Sequence, residues 1–160
     1  MVTDFANIAG MFKTNTDLVN KTINEVNPES WFLKPGDESN HFMWVVGHMA
    51  WSRANVLKIL NQPWNVPRSE LFGRGAQLAS ADQYPGVEEM KRAWDDISQK
   101  LLTVLTSASV DRLGQEAIAG PPSFDGKVSG NIAFFAFHET YHVGQLNYLR
   151  KWLGFGQGVG

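Results

Sequence analysis

Cysteine is missing from the 160-residue chain, which excludes disulfides, a thiolate-ligated zinc site and a cysteine nucleophile. Charge is sparse and nearly balanced: 14 Lys and Arg against 16 Asp and Glu leave a formal net charge of −2. With no basic run, nothing in the electrostatics favours nucleic acid or an anionic membrane as a partner. No apolar run approaches the ~20 residues needed to cross a bilayer. The segment Met1–Phe12 lacks the basic and apolar regions of a secretion signal, so a cytoplasmic location is expected. The remaining composition, 43% hydrophobic and 19% charged, is that of an ordinary globular protein. One domain spanning 1–160 is expected, long enough to bury a core without cross-links. No internal repeat and no low-complexity segment interrupts it.

Four helical patterns follow one another. Phe5, Ile8, Phe12, Val19 and Val26 recur at three- and four-residue steps, one face of a helix that Thr3 or Asp4 can cap and that Pro28 ends. Asn15 and Thr22 occupy the same seam, as polar residues that fix register or face a wet cavity. A second helix is expected from about Ser39 to Leu60, with Phe42, Val45, Met49, Val56 and Leu60 on one side and Trp44 and Trp51 on another. The third carries Val87, Met90, Trp94, Ile97, Leu101 and Val104 at strict helical spacing, with its charges on a solvated face. The fourth runs from Gly130 to about Leu153, with Ser129 as expected N-cap and Gly154 just past its end. Two connectors are long: 62–85, with Pro63, Pro67, Gly73, Gly75 and Pro85, and 107–128, with Gly120-Pro121-Pro122 and Asp125-Gly126. Neighbouring antiparallel helices are usually joined by about 2–8 residues, so 62–85 points to a crossover or a lid. The expected fold class is all-α, a four-helix bundle.

The chemistry sits on the fourth helix, at His138-Glu139-Thr140-Tyr141-His142. Histidines four apart share a helix face and can reach one ion, and the intervening Glu139 completes the H-E-x-x-H string of zinc proteases. That class takes its third ligand downstream, where this chain has no His, Asp, Glu or Cys after His142. A third ligand must then come from a facing helix of the bundle. The other two histidines, His41 and His48, lie on the second helix. His48 is near the middle of its helix, as His138 and His142 are of theirs; His41 falls in the first turn, where exposure is the usual fate. The expected metal ligands are His48, His138 and His142, with His41 as an outside candidate. Glu139 is a candidate general base or acceptor for a ligand N–H, with a solvent-facing helix position as the alternative. Gln145, one turn beyond His142, is a candidate for orienting substrate or water, a bundle-end hydrogen bond being the alternative. Trp44 and Trp51 bracket His48 as pocket walls or core; Tyr141 is expected to pack in the core or on the surface. Arg53 lies off the ligand face and is given no role.

These segments resemble the DinB/YfiT-like family of metal-binding four-helix bundles. His41-Phe42-Met43-Trp44-Val45-Val46-Gly47-His48-Met49 is similar to its W-x-x-G-H segment, and His138 to Leu146 to its H-x-x-x-H-x-G-Q-L segment. Leu71-Phe72-Gly73-Arg74-Gly75 resembles its L-F-x-x-G piece, and Leu149-Arg150-Lys151-Trp152-Leu153-Gly154 its ending. The resemblance covers essentially the whole chain. It implies an up-down-down-up bundle, a Zn²⁺ or Ni²⁺ site on His48, His138 and His142, and often a homodimer. It also implies an activity class in which a low-molecular-weight thiol is transferred to an electrophile or serves an isomerisation.

Three neutral imidazoles leave a divalent ion close to its full charge, which lowers the pKa of a bound water or thiol toward neutrality. Since the chain has no thiol, thiol chemistry requires a thiol cosubstrate. The chemistry leaves S-transfer and hydrolysis both open; the family resemblance makes a thiol S-transferase acting on a small molecule, of detoxification type, the leading expectation. Alternatives are a hydrolase using a metal-bound hydroxide and a non-catalytic metal-binding or stress-response bundle. A closed structural ion is disfavoured by the lack of a fourth protein ligand.

Overall fold

The computed structural model describes residues 3–156, with side chains from residue 5 onward. Five helices appear in chain order: α1 (Thr3–Glu25), α2 (Phe42–Ile59), α3 (Val87–Ser107), the single turn α4 (Val110–Leu113) and α5 (Val128–Trp152). No strand occurs among the described residues; Glu116 and Lys127 form one isolated bridge. The expected all-α bundle is what the chain forms. In its principal contacts α1 packs on α3 and α5, and α2 packs on the same two helices. The two histidine-bearing helices, α2 and α5, therefore pack against each other.

Core positions follow the periodic pattern. Phe5, Phe12, Val19 and Val26 of the first segment are buried, as are Met90, Trp94, Ile97, Leu101 and Val104 of α3. Asn15 is buried and donates from Nδ2 to Thr140 Oγ1 of α5 at 3.1 Å, so it fixes the register between these helices. Thr22 returns its hydroxyl to the Leu18 carbonyl of its own helix. The capping role expected of Thr3 or Asp4 lies outside the described side chains.

Two boundaries differ from expectation, and one connector holds a short helix of its own. α2 begins at Phe42 and not at about Ser39, because His41 is its N-cap: Nδ1 accepts from the Trp44 N–H at 3.1 Å. His41 is consequently buried, packed edge-on to Phe32 and Tyr84, where its position in the first turn led us to expect exposure. α5 begins at Val128, so Ser129 is inside the helix and is not its cap. Asp125 takes over at this end, accepting from the Lys127 N–H and the Ser129 hydroxyl. The 107–128 connector holds α4, capped by Ser109, which accepts from the Arg112 N–H. At the other end of α5 Gly154 adopts φ 89° as expected, a left-handed conformation that glycine takes without a steric penalty.

Candidate metal centre

α2 and α5 bring three rings to one point. His138 Nε2 lies 3.1 Å from His142 Nε2 and 3.4 Å from His48 Nε2, and one nitrogen of each ring falls within 4.8 Å of both others. His41, spent on its cap, is not among them. His48 is sandwiched by the neighbours one turn either side of it, Trp44 at 4.7 Å and Trp51 at 5.4 Å between ring centroids, both nearly parallel. Stacking on both faces leaves this imidazole little freedom to rotate.

The far nitrogens decide the tautomers. His48 Nδ1 lies 2.6 Å from the Phe72 carbonyl oxygen, which can only accept, so Nδ1 carries the proton and Nε2 is a bare lone pair. His142 Nδ1 lies 2.7 Å from Gln145 Oε1, and Nε2 of the same amide donates to the Tyr141 hydroxyl; in this amide orientation Nδ1 is the donor. With the amide so turned, His142 Nε2 is a lone pair as well. His138 Nε2 can offer a proton to only one of these two, and His138 Nδ1 is buried with no partner. Adding protons is resisted: burial holds all three rings below the ordinary histidine range, His142 at about 4, with the adjacent imidazoles contributing to His48 and His142. The positive charge of Arg74 acts in the same direction on His138.

Converging lone pairs with too few protons are what a cation satisfies. Tetrahedral nitrogen ligands at ~2.0–2.1 Å from a zinc-like ion lie about 3.3–3.4 Å apart, close to the 3.1 and 3.4 Å seen here. The donor set fits a divalent ion of borderline softness, such as Zn²⁺ or Ni²⁺. Beside His48 and His138 opens a cavity of about 740 Å³, walled by Trp51, Phe134 and Phe135 and by the connector residues Ile118 to Pro122. That connector is clamped by Asn131, fully buried, whose Nδ2 donates to the carbonyls of Pro121 and Pro122 and whose Oδ1 accepts from the Ile118 N–H.

The two polar candidates on α5 are placed differently from the histidines and from each other. Gln145 reaches His142 from behind, so it holds the ligand ring rather than lining the cavity. Glu139 is not the solvent-facing residue of one alternative: it is 1% exposed and both carboxylate oxygens engage Arg53, at 2.7 and 2.8 Å. Arg53, which sequence reasoning left without a role, is fully buried and touches every long helix. It donates to Glu139 of α5, to Ser98 of α3 at 2.6 Å, and to Thr16 and the Phe12 carbonyl of α1, with its guanidinium 4.0 Å from the Trp94 ring. Tyr141 is on the surface, as one of the two expected outcomes had it.

Fold and site together define a helical bundle with a candidate three-histidine metal centre opening on a cavity. The sequence model of the DinB superfamily matches residues 11–146, and the chain belongs to that superfamily. Comparison with curated proteins found no match.

Gln145 offers a direct check of how the site is held. Removing a hydrogen-bond partner behind a ligand histidine costs about 10–100-fold in metal affinity. Gln145→Leu is expected to weaken binding within that range while leaving the folded protein intact. A competition titration against a chromogenic chelator measures it; unchanged affinity would mean that the amide has no part in orienting His142.

Proposed function

We propose that the protein is a metal-dependent enzyme that holds Zn²⁺ or Ni²⁺ on His48, His138 and His142 and transfers a low-molecular-weight thiol to a small electrophilic substrate. The observation that carries the proposal is the convergence of three ring nitrogens, one of them on His48, whose Nε2 lone pair is fixed by the Phe72 carbonyl behind it. When bound, the ion supplies Lewis acidity that brings a thiol or water to its nucleophilic form near neutral pH. The chain's own residues do the rest. Phe72 and Gln145 keep the ligand rings oriented, and Trp44 and Trp51 fix the plane of His48. Trp51, Phe134 and Phe135 give the cavity an apolar wall that limits water at the reacting end. Its volume of about 740 Å³ falls among those of small-molecule sites, with room for a cosubstrate beside an electrophile. In this reading Gln145 is a positioning residue acting through His142, and Glu139 acts through Arg53. The exposed aromatics along the outer side of α5, Phe137, Tyr141, Tyr148 and Trp152, are a surface suited to the second copy that the family resemblance implies.

Metal analysis of protein purified without a nickel column tests the centre. About one divalent ion per chain is expected for the wild type and less than about a tenth of that for His142→Ala, since loss of one of three ligands removes most of the affinity. Equal and negligible metal in both would sink the proposal. Incubation with a panel of cellular thiols and an electrophile then reads the reaction, and turnover that is independent of added thiol would replace S-transfer with hydrolysis.

A further inference from the structure

The cavity beside the histidines is not uniform along its length. His48, Trp51, Asn55 and Lys58 all line it, and their spacing of three, four and three residues puts them on one stripe of α2. Ten residues of helix advance about 15 Å, so this wall runs from the ring nitrogens, past an indole and an amide, to an ammonium group. At the Lys58 end a second cation lines the cavity. Arg112 is fixed there by its Nε donating to the Ile59 carbonyl at 3.1 Å, with Gln115 holding another of its nitrogens. The Lys58 side chain is exposed, and its ammonium has no hydrogen-bond or ion-pair partner among the described residues. Asn61 also borders this end, its backbone in the left-handed region at φ 58°. No Asp or Glu lines the cavity anywhere, although acids outnumber bases in the chain, 16 to 14.

We propose that the cavity takes an elongated amphipathic organic anion, with its oxyanion held by Lys58 in the field of Arg112 and its apolar body lying along Trp51 and Phe134 toward the histidines. This deepens the metal-enzyme reading and rests on it for which end of the ligand reacts. Remote binding of this kind is useful to an enzyme because it orients the reacting end without touching it. Arg74, which lies in the turn after Phe72 at the histidine end of the cavity, is left to the reacting end. Carboxylate and phosphate share the required chemistry.

Three probes of one length test the proposal: 6-phenylhexanoate, 6-phenylhexyl phosphate and the neutral 6-phenylhexan-1-ol, titrated calorimetrically into metal-loaded and metal-stripped protein of measured metal content. Both wild-type forms should bind at least one of the anions about tenfold or more tighter than the alcohol, as one charge-assisted hydrogen bond allows; which anion binds more tightly identifies the headgroup. Lys58→Gln should bring anion and alcohol within about twofold. Arg68→Gln, a control outside the cavity whose partner is the exposed Glu70, should leave the preference intact. A preference that survives Lys58→Gln, that is lost with Arg74→Gln alone, or that disappears on stripping the metal would overturn the placement. So would equal binding of all three probes, or none. Protein that takes up no metal yet prefers the anions through Lys58 would sink the metal-enzyme reading and leave this one standing.

Discussion

Arg53→Met is expected to destabilise the protein by about 3–5 kcal/mol, because it strands the Glu139 carboxylate in the bundle centre. Glu139→Gln should fall in the same range through the converse loss. The pair is 0% and 1% exposed in its side chains, so neither charge can turn to water when its partner is removed. The double variant Arg53→Met/Glu139→Leu should be much less destabilised than the sum of the singles, since it removes both charges and leaves only polar partners that can be satisfied locally: Ser98 already donates to the Trp94 carbonyl and Thr16 to that of Phe12. Chemical denaturation of the four proteins gives the coupling directly. Additive effects would mean that the pair does not act as a unit. The same variants separate the two roles open to Glu139. As a clamp, Glu139→Gln lowers the denaturation midpoint while the folded protein keeps the metal affinity and the proposed thiol turnover of the wild type. As a general base, it loses turnover with the midpoint hardly moved.

What could be read from the sequence divides along a physical line. The cluster of three histidines was legible because helical spacing alone puts His138 over His142, and His48 sits at mid-helix on a facing helix of the bundle. Arg53 was not legible by the same logic. Face assignments compare positions on one helix, whereas Arg53 uses a long side chain to cross the bundle and meet α1, α3 and α5 together. Its signal was available in another form: α2 holds no acid and only one other base, Lys58 at its end, and Glu139 is the only acid of α5. Lone opposite charges in the middle of two apolar helices imply a buried pair. The start of α2 was misplaced for a related reason. Ser39 is the better cap by local preference, but His41 is held in place by packing against Phe32 and Tyr84, and tertiary contacts overrode the propensity.

The two motif glycines should respond to the same substitution with opposite signs. Gly47 precedes the candidate ligand His48, and a β-carbon added there would overlap the ring of Phe72. That ring is fully buried and packs against Tyr84 at 5.7 Å, so it has nowhere to swing. The backbone of Phe72 must shift instead, and with it the carbonyl that fixes the tautomer of His48. This joins two segments that look independent in the sequence: the glycine before the histidine is the socket for the phenylalanine of Leu71-Phe72-Gly73-Arg74-Gly75, whose carbonyl then orients that same histidine. Gly47→Ala is therefore expected to cost about 1–3 kcal/mol through overpacking and about 10–100-fold in metal affinity through the lost hydrogen bond. Gly144, two residues after His142, faces open space with nothing within 4 Å of an added β-carbon. Gly144→Ala should stabilise α5 by up to about 1 kcal/mol, the propensity difference in a helix interior, and leave the metal site unchanged. Denaturation and chelator competition on the two variants side by side check both effects. Equal stability of the two would mean that the Phe72 side chain does not need the space at Gly47. A stability loss in Gly47→Ala without a change in metal affinity would separate the packing from the tautomer and remove Phe72 from the description of the centre.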